Sequence, residues 1–223
     1  NGKFQLDTTT TGLIDPPPHD SAYFANKLRF IQNYFAKVSN GQLVVKGDVV
    51  GRVITLSKSL GSYSPPNNSS TTRGMANLAV ESWRAADSLV SNIPFSQYEA
   101  FIIFHAGIGH DIDVVGYLGF DPTPNDIPSL YFSLSSFREA LQDPAFSGIQ
   151  TGGGFKITNT IILPETETRV FTSSGQSVTL KLSINGLSVA SVGSHLGLPD
   201  LFDTETGRPG IGQFGLMDGA SIF

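Results

Sequence analysis

The run Phe101-Ile102-Ile103-Phe104 constrains this chain more than any other segment. Four consecutive apolar residues between Tyr98 and His105 form the best buried-strand candidate in the chain. Helices are predicted before it. Three prolines, Pro16, Pro17 and Pro18, bar helix in the opening stretch. Asp20 or Ser21 then caps a helix to about Val38, with Tyr23, Phe24, Leu28, Ile31, Tyr34 and Phe35 spaced by threes and fours. Ser39-Asn40-Gly41 stops it. A second helix spans about Arg73 to Val90, with Met75, Leu78, Ala79, Ser82, Ala86 and Leu89 on one stripe. Between the two, alternation predicts strands over Gln42–Lys46 and Asp48–Leu56, then an exposed loop over 57–72 with sequons at Asn67-Asn68-Ser69-Ser70.

Downstream, 106–128 reads as a Gly/Asp/Pro-rich excursion, Leu134–Gln142 as a short helix, and Phe155–Leu163, Thr168–Ser173 and Ser177–Lys181 as strands. Residues 185–197 read as helix, and a Gly-rich loop follows. This order gives the α+β class and one domain over 1–223. Charged residues are only 15%, against about 25% in ordinary domains, which argues against a coiled coil or a charged disordered tail. The net charge is −5 and Lys and Arg form no cluster, so nucleic acid is not an expected partner. No apolar run is long enough to span a membrane. Cys is absent, which excludes thiol nucleophiles, disulfides and thiolate zinc sites.

Several constellations could carry chemistry. Phe104-His105-Ala106-Gly107-Ile108-Gly109 follows a strand like a phosphate loop, but Ile112 stands where a dinucleotide fingerprint needs its third glycine. The reading is a glycine turn. His19, His105, His110 and His195 are candidate metal ligands. Ser191 and His195 share a helix face as an alternative nucleophile–base pair. Carboxylates at Asp111, Asp113, Asp121, Asp126, Asp203 and Glu205 sit in loops of the kind that can hold calcium, though none matches an EF-hand.

The C-terminal stretch Gly193-Ser194-His195-Leu196-Gly197-Leu198-Pro199-Asp200-Leu201-Phe202-Asp203, followed by Phe214-Gly215-Leu216-Met217-Asp218, resembles the active-site region of immune inhibitor A-like secreted metallopeptidases. Those read H-E-x-G-H-x-L-G-L-P-D-x-x-D with a later Leu-Met turn. Upstream, Pro17-Pro18-His19-Asp20 resembles the family's approach to its first helix, Tyr34 through Gly41 the end of that helix, and Ile102 through Gly107 its central strand. The resemblance implies a metzincin-like domain: a mixed sheet, an active-site-type helix and a Met turn. In such a site two His one helical turn apart and a returning Asp hold zinc, and a Glu works on the metal-bound water.

Carried over residue by residue, the ligand positions are Ala190, Ser194 and Asp200, the base position is Ser191, and Met217 is the turn methionine. His195 is one position late, about 100° around the helix from the ligand face. One carboxylate and no imidazole do not make a zinc site. The resemblance therefore implies an inactive metallopeptidase-like domain without zinc, with calcium the one cofactor admitted. It would be part of a longer secreted or cell-surface bacterial polypeptide that binds other domains or surface proteins, or self-assembles. The alternative is an active secreted hydrolase using another metal site or the Ser191/His195 pair. The helix is expected to be rigid, with Leu187, Val189, Val192 and Leu196 in the core and His195 hydrogen bonded at the rim.

Overall fold

The computed structural model describes residues 2–9, 12–65, 72–112, 115, 119–120, 124–173, 175–204 and 206–219, with backbone alone at 171 and 173. Its elements are α1 (Ser21–Val38), α2 (Arg73–Leu89), β1 (Ile102–Ile108), β2 (Leu130–Phe132), α3 (Leu134–Leu141), β3 (Ile149–Gln150), β4 (Lys156–Ile157), β5 (Thr160–Thr166), β6 (Arg169–Ser173), β7 (Gln176–Leu180) and α4 (Asn185–His195). The class is α+β.

The main sheet has the order β1-β5-β2, with β1 parallel and β2 antiparallel to β5. Strand alternation splits β5 between two cores. Ile161 and Leu163 pack with Ile31 and Phe35 of α1 and Leu187, Val189 and Val192 of α4. Ile162 packs on the other side with Met75, Ala79 and Trp83 of α2, and with Phe132 and Phe137. Helices therefore cover both faces of the sheet. Trp83 Nε1 donates to Thr160 Oγ1 at 2.9 Å, and that hydroxyl donates to Phe101 O at 3.1 Å. The indole N–H is thereby satisfied where α2 crosses the sheet.

The expected buried run is the sheet's edge strand, not its centre. β1 is mostly half-buried, whereas every residue of β5 is buried. The sequence masks β5 because Pro164 and Glu165 interrupt it. Proline has no ladder donor, and the β1–β5 register breaks just past His105↔Pro164, with Gly107 at φ +102° across the break. The strands expected over 42–46 and 48–56 are not strands. The segment turns Leu43, Val45, Ile54 and Leu56 toward the cores, while Val44 and Val53 are each 66% exposed. It has the alternation of a strand without a ladder partner. The expected strand Phe155–Leu163 is two strands, β4 and β5.

A buried ion pair locks the helices covering one face. Lys27 on α1 points inward and donates to Asp15 Oδ1 at 2.5 Å and to Asn185 Oδ1 at 3.0 Å. Its Nζ also lies 4.9 Å from the Tyr23 ring centroid. Burial pushes the Lys27 pKa down, and Asp15 opposes that shift. The other Asp15 oxygen accepts from Ile184 N at 3.3 Å, at the start of α4, where no local side chain caps the helix. Asp15 thus serves as a remote cap. Asp15→Ala should destabilise the fold by about 3–5 kcal/mol, because it strands a buried ammonium. Asp15→Asn, which keeps an acceptor for Ile184 N, should cost less. Urea denaturation of both variants checks the order.

Candidate functional site

The resemblance places the site on α4 and the loop that returns beneath it. Leu187, Val189 and Val192 are buried as expected, but Leu196 is 45% exposed. Each serine of α4 is turned back on its own helix. Ser188 Oγ donates to Ile184 O at 2.7 Å, Ser191 Oγ to Leu187 O at 2.9 Å and Ser194 Oγ to Ala190 O at 3.3 Å. These i−4 bonds satisfy hydroxyls inside a helix that packs on a sheet.

At the C-terminal end of α4, Gly197 takes φ +85°. Leu198 N bonds Gly193 O at 3.0 Å and Gly197 N bonds Ser194 O at 3.1 Å, which closes the helix in a Schellman-type turn. The chain leaves the helix axis there, and Asp200 ends exposed. The returning loop brings Met217 back under the helix. A Cβ added to Gly193 would lie 2.9 Å from Met217 Sδ and 3.3 Å from Leu198 Cδ1, so glycine at 193 is what lets the thioether approach the helix.

The loop is organised by Asp218, which is completely buried. Its carboxylate accepts from Gly210 N at 2.6 Å, from Ile211 N at 3.3 Å and from Gln213 N at 2.5 Å. Leu201 N donates to Met217 O at 2.8 Å. Three backbone donors on one carboxylate fix a loop that has little core of its own. Sequence reading stopped one residue short, at Met217. The signal that could have found Asp218 is a carboxylate between an apolar turn and Gly219 with no lysine or arginine beside it.

His195 is half-buried, its ring edge-on to Tyr131 with centroids 5.7 Å apart. Burial holds its imidazole below its ordinary pKa, and Glu99 opposes that shift. Among the described residues its Nδ1 has no hydrogen-bond partner, so the hydrogen bond expected of it is not seen there. Ser191 Oγ donates to Leu187 O, not to His195, so the structure does not assemble the alternative pair.

The remaining candidates are dispersed. His19 is buried with Nδ1 3.3 Å from Glu165 Oε1. His105 Nδ1 lies 3.2 Å from Ala106 O, and His110 is exposed. Asp111 is engaged by Ser129, whose N and Oγ donate to it at 2.7 and 2.9 Å. The backbone carbonyl of Asp126 accepts from Ser64 Oγ at 3.2 Å. Asp203 shapes a turn, its carboxylate accepting from Thr206 N at 3.1 Å. Asp113, Asp121 and Glu205 lie outside the described residues. Among the described residues, no group of three or more His, Asp or Glu side chains could hold a metal ion. At the zinc position the donor chemistry does not fit: Ala190 offers no ligand atom, and the Ser194 hydroxyl is bonded to its own helix.

Beside the helix lie two surface depressions. One, of about 470 Å³, is bordered by Asp15, Pro16, Tyr23, Lys27 and Asn185. The other, of about 250 Å³, is apolar, lies between α1 and the returning loop, and is bordered by Phe30, Tyr34, Val189, Phe214 and Leu216. No helix among the described residues is long and apolar enough to cross a membrane. Comparison of the chain with protein-family models, curated proteins and solved structures finds no match.

Asp218→Ala should cost about 3 kcal/mol or more, because it leaves several buried backbone donors without an acceptor. It should also open the 201–219 loop to protease. Ser191→Ala, which removes only an intrahelical bond, should stay within about 1 kcal/mol of the parent in the same urea titration.

Proposed function

We propose that this chain is a catalytically inactive metallopeptidase-like domain of the immune inhibitor A-like, metzincin-type family. It acts by binding or structural assembly on a secreted or cell-surface protein. The observation that carries the reading is the seating of Met217 against Gly193 beneath α4, with Gly197 ending the helix. That seating supports the reading of a zinc-type helix over a Met turn, in which the positions that would bear imidazoles hold Ala190 and Ser194. Two independent requirements of metallopeptidase chemistry are then missing. The donor set cannot retain zinc, and Ser191 offers no carboxylate to take a proton from water. The back-bonded serines support a structural role for this face, because none of their hydroxyls is left pointing at a substrate. Recognition would fall to the surfaces around the helix, with other domains of the same polypeptide, other surface proteins or further copies as partners.

Elemental analysis of the purified protein should give zinc well below one per chain, and casein should stay intact with zinc added. The combined change Ala190→His, Ser191→Glu and Ser194→His should restore zinc uptake, because it rebuilds the ligand set in the frame fixed by Gly197 and Asp200. Stoichiometric zinc with chelator-sensitive cleavage in the unaltered protein would overturn the proposal.

A further inference from the structure

One side of α1 stays open to solvent beside α4, and much of it is apolar. The two depressions there run into one another, because Phe30 borders both and they meet at the consecutive residues Asn185 and Gly186. The apolar one, about 250 Å³, exceeds the roughly 150 Å³ that holds a benzene ring in an apolar cavity. Beside it stands Phe214, which is 94% exposed. Past Gly215 the apolar surface continues into Ile211 and Leu201, 47% and 39% exposed, whose Cδ1 atoms would lie 2.8 and 3.5 Å from a Cβ at Gly215. Single apolar residues at a surface are ordinary, whereas a contiguous set marks a contact face.

Phe214 is held out by its loop. Gln213 before it takes φ +70°, a conformation that disfavours any residue but glycine. Asp218 keeps it there by accepting from Gln213 N at 2.5 Å, and the same buried carboxylate accepts from Gly210 N. The loop thus accepts backbone strain and presents an aromatic ring to water, next to a hollow of aromatic size. Within one chain the ring does not fill that hollow. Across a twofold axis, each ring meets the hollow of the other copy.

Charge selects a second copy and its direction. Asp20 caps α1 with two bonds that both fall on Oδ1. Lys37, in the last turn, is exposed and has no partner among the described residues. Asp20 borders the first depression, and Lys37 follows Phe30 by seven residues, on the same side of the helix. Between them Asn26, Phe30 and Tyr34 are uncharged, and Lys27 is paired with Asp15. Arg29 sits about 100° round the helix from Phe30. This side therefore has an acidic end, an apolar middle and a basic end. Antiparallel α1 helices bring each Asp20 to the other copy's Lys37, whereas parallel ones bring like charges together. The midpoint of Asp20 and Lys37 falls between residues 28 and 29, about 2 Å along the axis from Phe30. The arrangement that pairs the ends therefore also sets the two hollows against each other.

We propose that this chain forms a symmetric dimer through this side. The two α1 helices run antiparallel, Phe214 of each copy seats in the depression beside Phe30 of the other, and Asp20 of each pairs with Lys37 of the other. The dimer needs only this face, so it stands or falls apart from the zinc position.

Sedimentation equilibrium of the full chain should give twice the mass of one chain at micromolar concentration. Phe214→Glu should raise the dissociation constant about thirtyfold or more. It should leave the circular dichroism unchanged, because so exposed a ring supports no core. Lys37→Glu, which sets like charges at both ends, should raise the constant about three- to tenfold. Mixing the Lys37→Glu chain with an Asp20→Lys chain should recover the parent affinity, because both end pairs are then unlike. A chain that stays monomeric up to about 100 μM, whether the face stays open or takes a different polypeptide, would overturn the proposal. So would a dimer that survives Phe214→Glu, or a mixture no tighter than the Lys37→Glu chain alone. If Asp20→Lys does not fold without its cap, the parent mass and Phe214→Glu decide without it.

Discussion

The position of α4 depends on a charge that water would otherwise claim. Lys27 lies on the face of α1 that packs inward, and desolvating an ammonium costs several kcal/mol unless a partner meets it. Asp15 meets it, and the same carboxylate receives Ile184 N at the start of α4. Asn185, the first residue of α4, completes the set. One buried carboxylate therefore ties the proline-rich segment, α1 and α4 together. Apolar packing among Ile31, Leu187 and Val192 supplies attraction but tolerates sliding. The polar triangle does not, because any shift leaves a charge unpaired. With α4 fixed along α1, Gly193 is fixed over the returning loop, and Met217 has one place to sit.

This shows which parts of the fold were legible in the sequence. Helices α1 and α2 could be read because three-and-four spacing of large apolar residues is a local signal. Lys27 could not, since a lysine on a helix reads as solvated until its partner twelve residues earlier is brought beside it. The central strand was legible only as far as Leu163, for a related reason. In β5, Pro164 and Glu165 look like strand breakers, yet the proline falls where the ladder to β1 loses register, and Glu165 is met by His19 and Gln5 N. The segment 42–56 errs in the opposite direction. Its alternation is real and its inward residues are anchored in the two cores, but alternation describes which face is buried and not whether a neighbouring backbone supplies hydrogen bonds.

At the site, the frame was legible and the interactions were not. Gly197, Asp200 and Met217 were singled out by the resemblance of their stretch to the metallopeptidase motif, and a glycine-ended helix is a short-range feature. The intrahelical serine bonds and the Asp218 hub each depend on the surroundings. Asp218 gathers donors from residues 210–213 only because the loop doubles back.

The composition of the α4 face suits a helix that packs on a sheet and holds no metal. A helix packed on a sheet can carry imidazoles and a carboxylate if an ion accepts them. Remove the ion, and each becomes a half-buried polar group lacking a partner, at a cost of about 1–3 kcal/mol apiece. Replacing only one ligand would leave the others in that condition. A hydroxyl escapes the penalty because it reaches the carbonyl one turn back, and a methyl has no polar atom to satisfy. Ala190, Ser191 and Ser194 are residues of those two kinds, and the two hydroxyls are satisfied by the helix itself. The small side chains leave the packing with Met217 and Leu198 to Gly193. A helix built this way needs nothing bound to satisfy its polar groups.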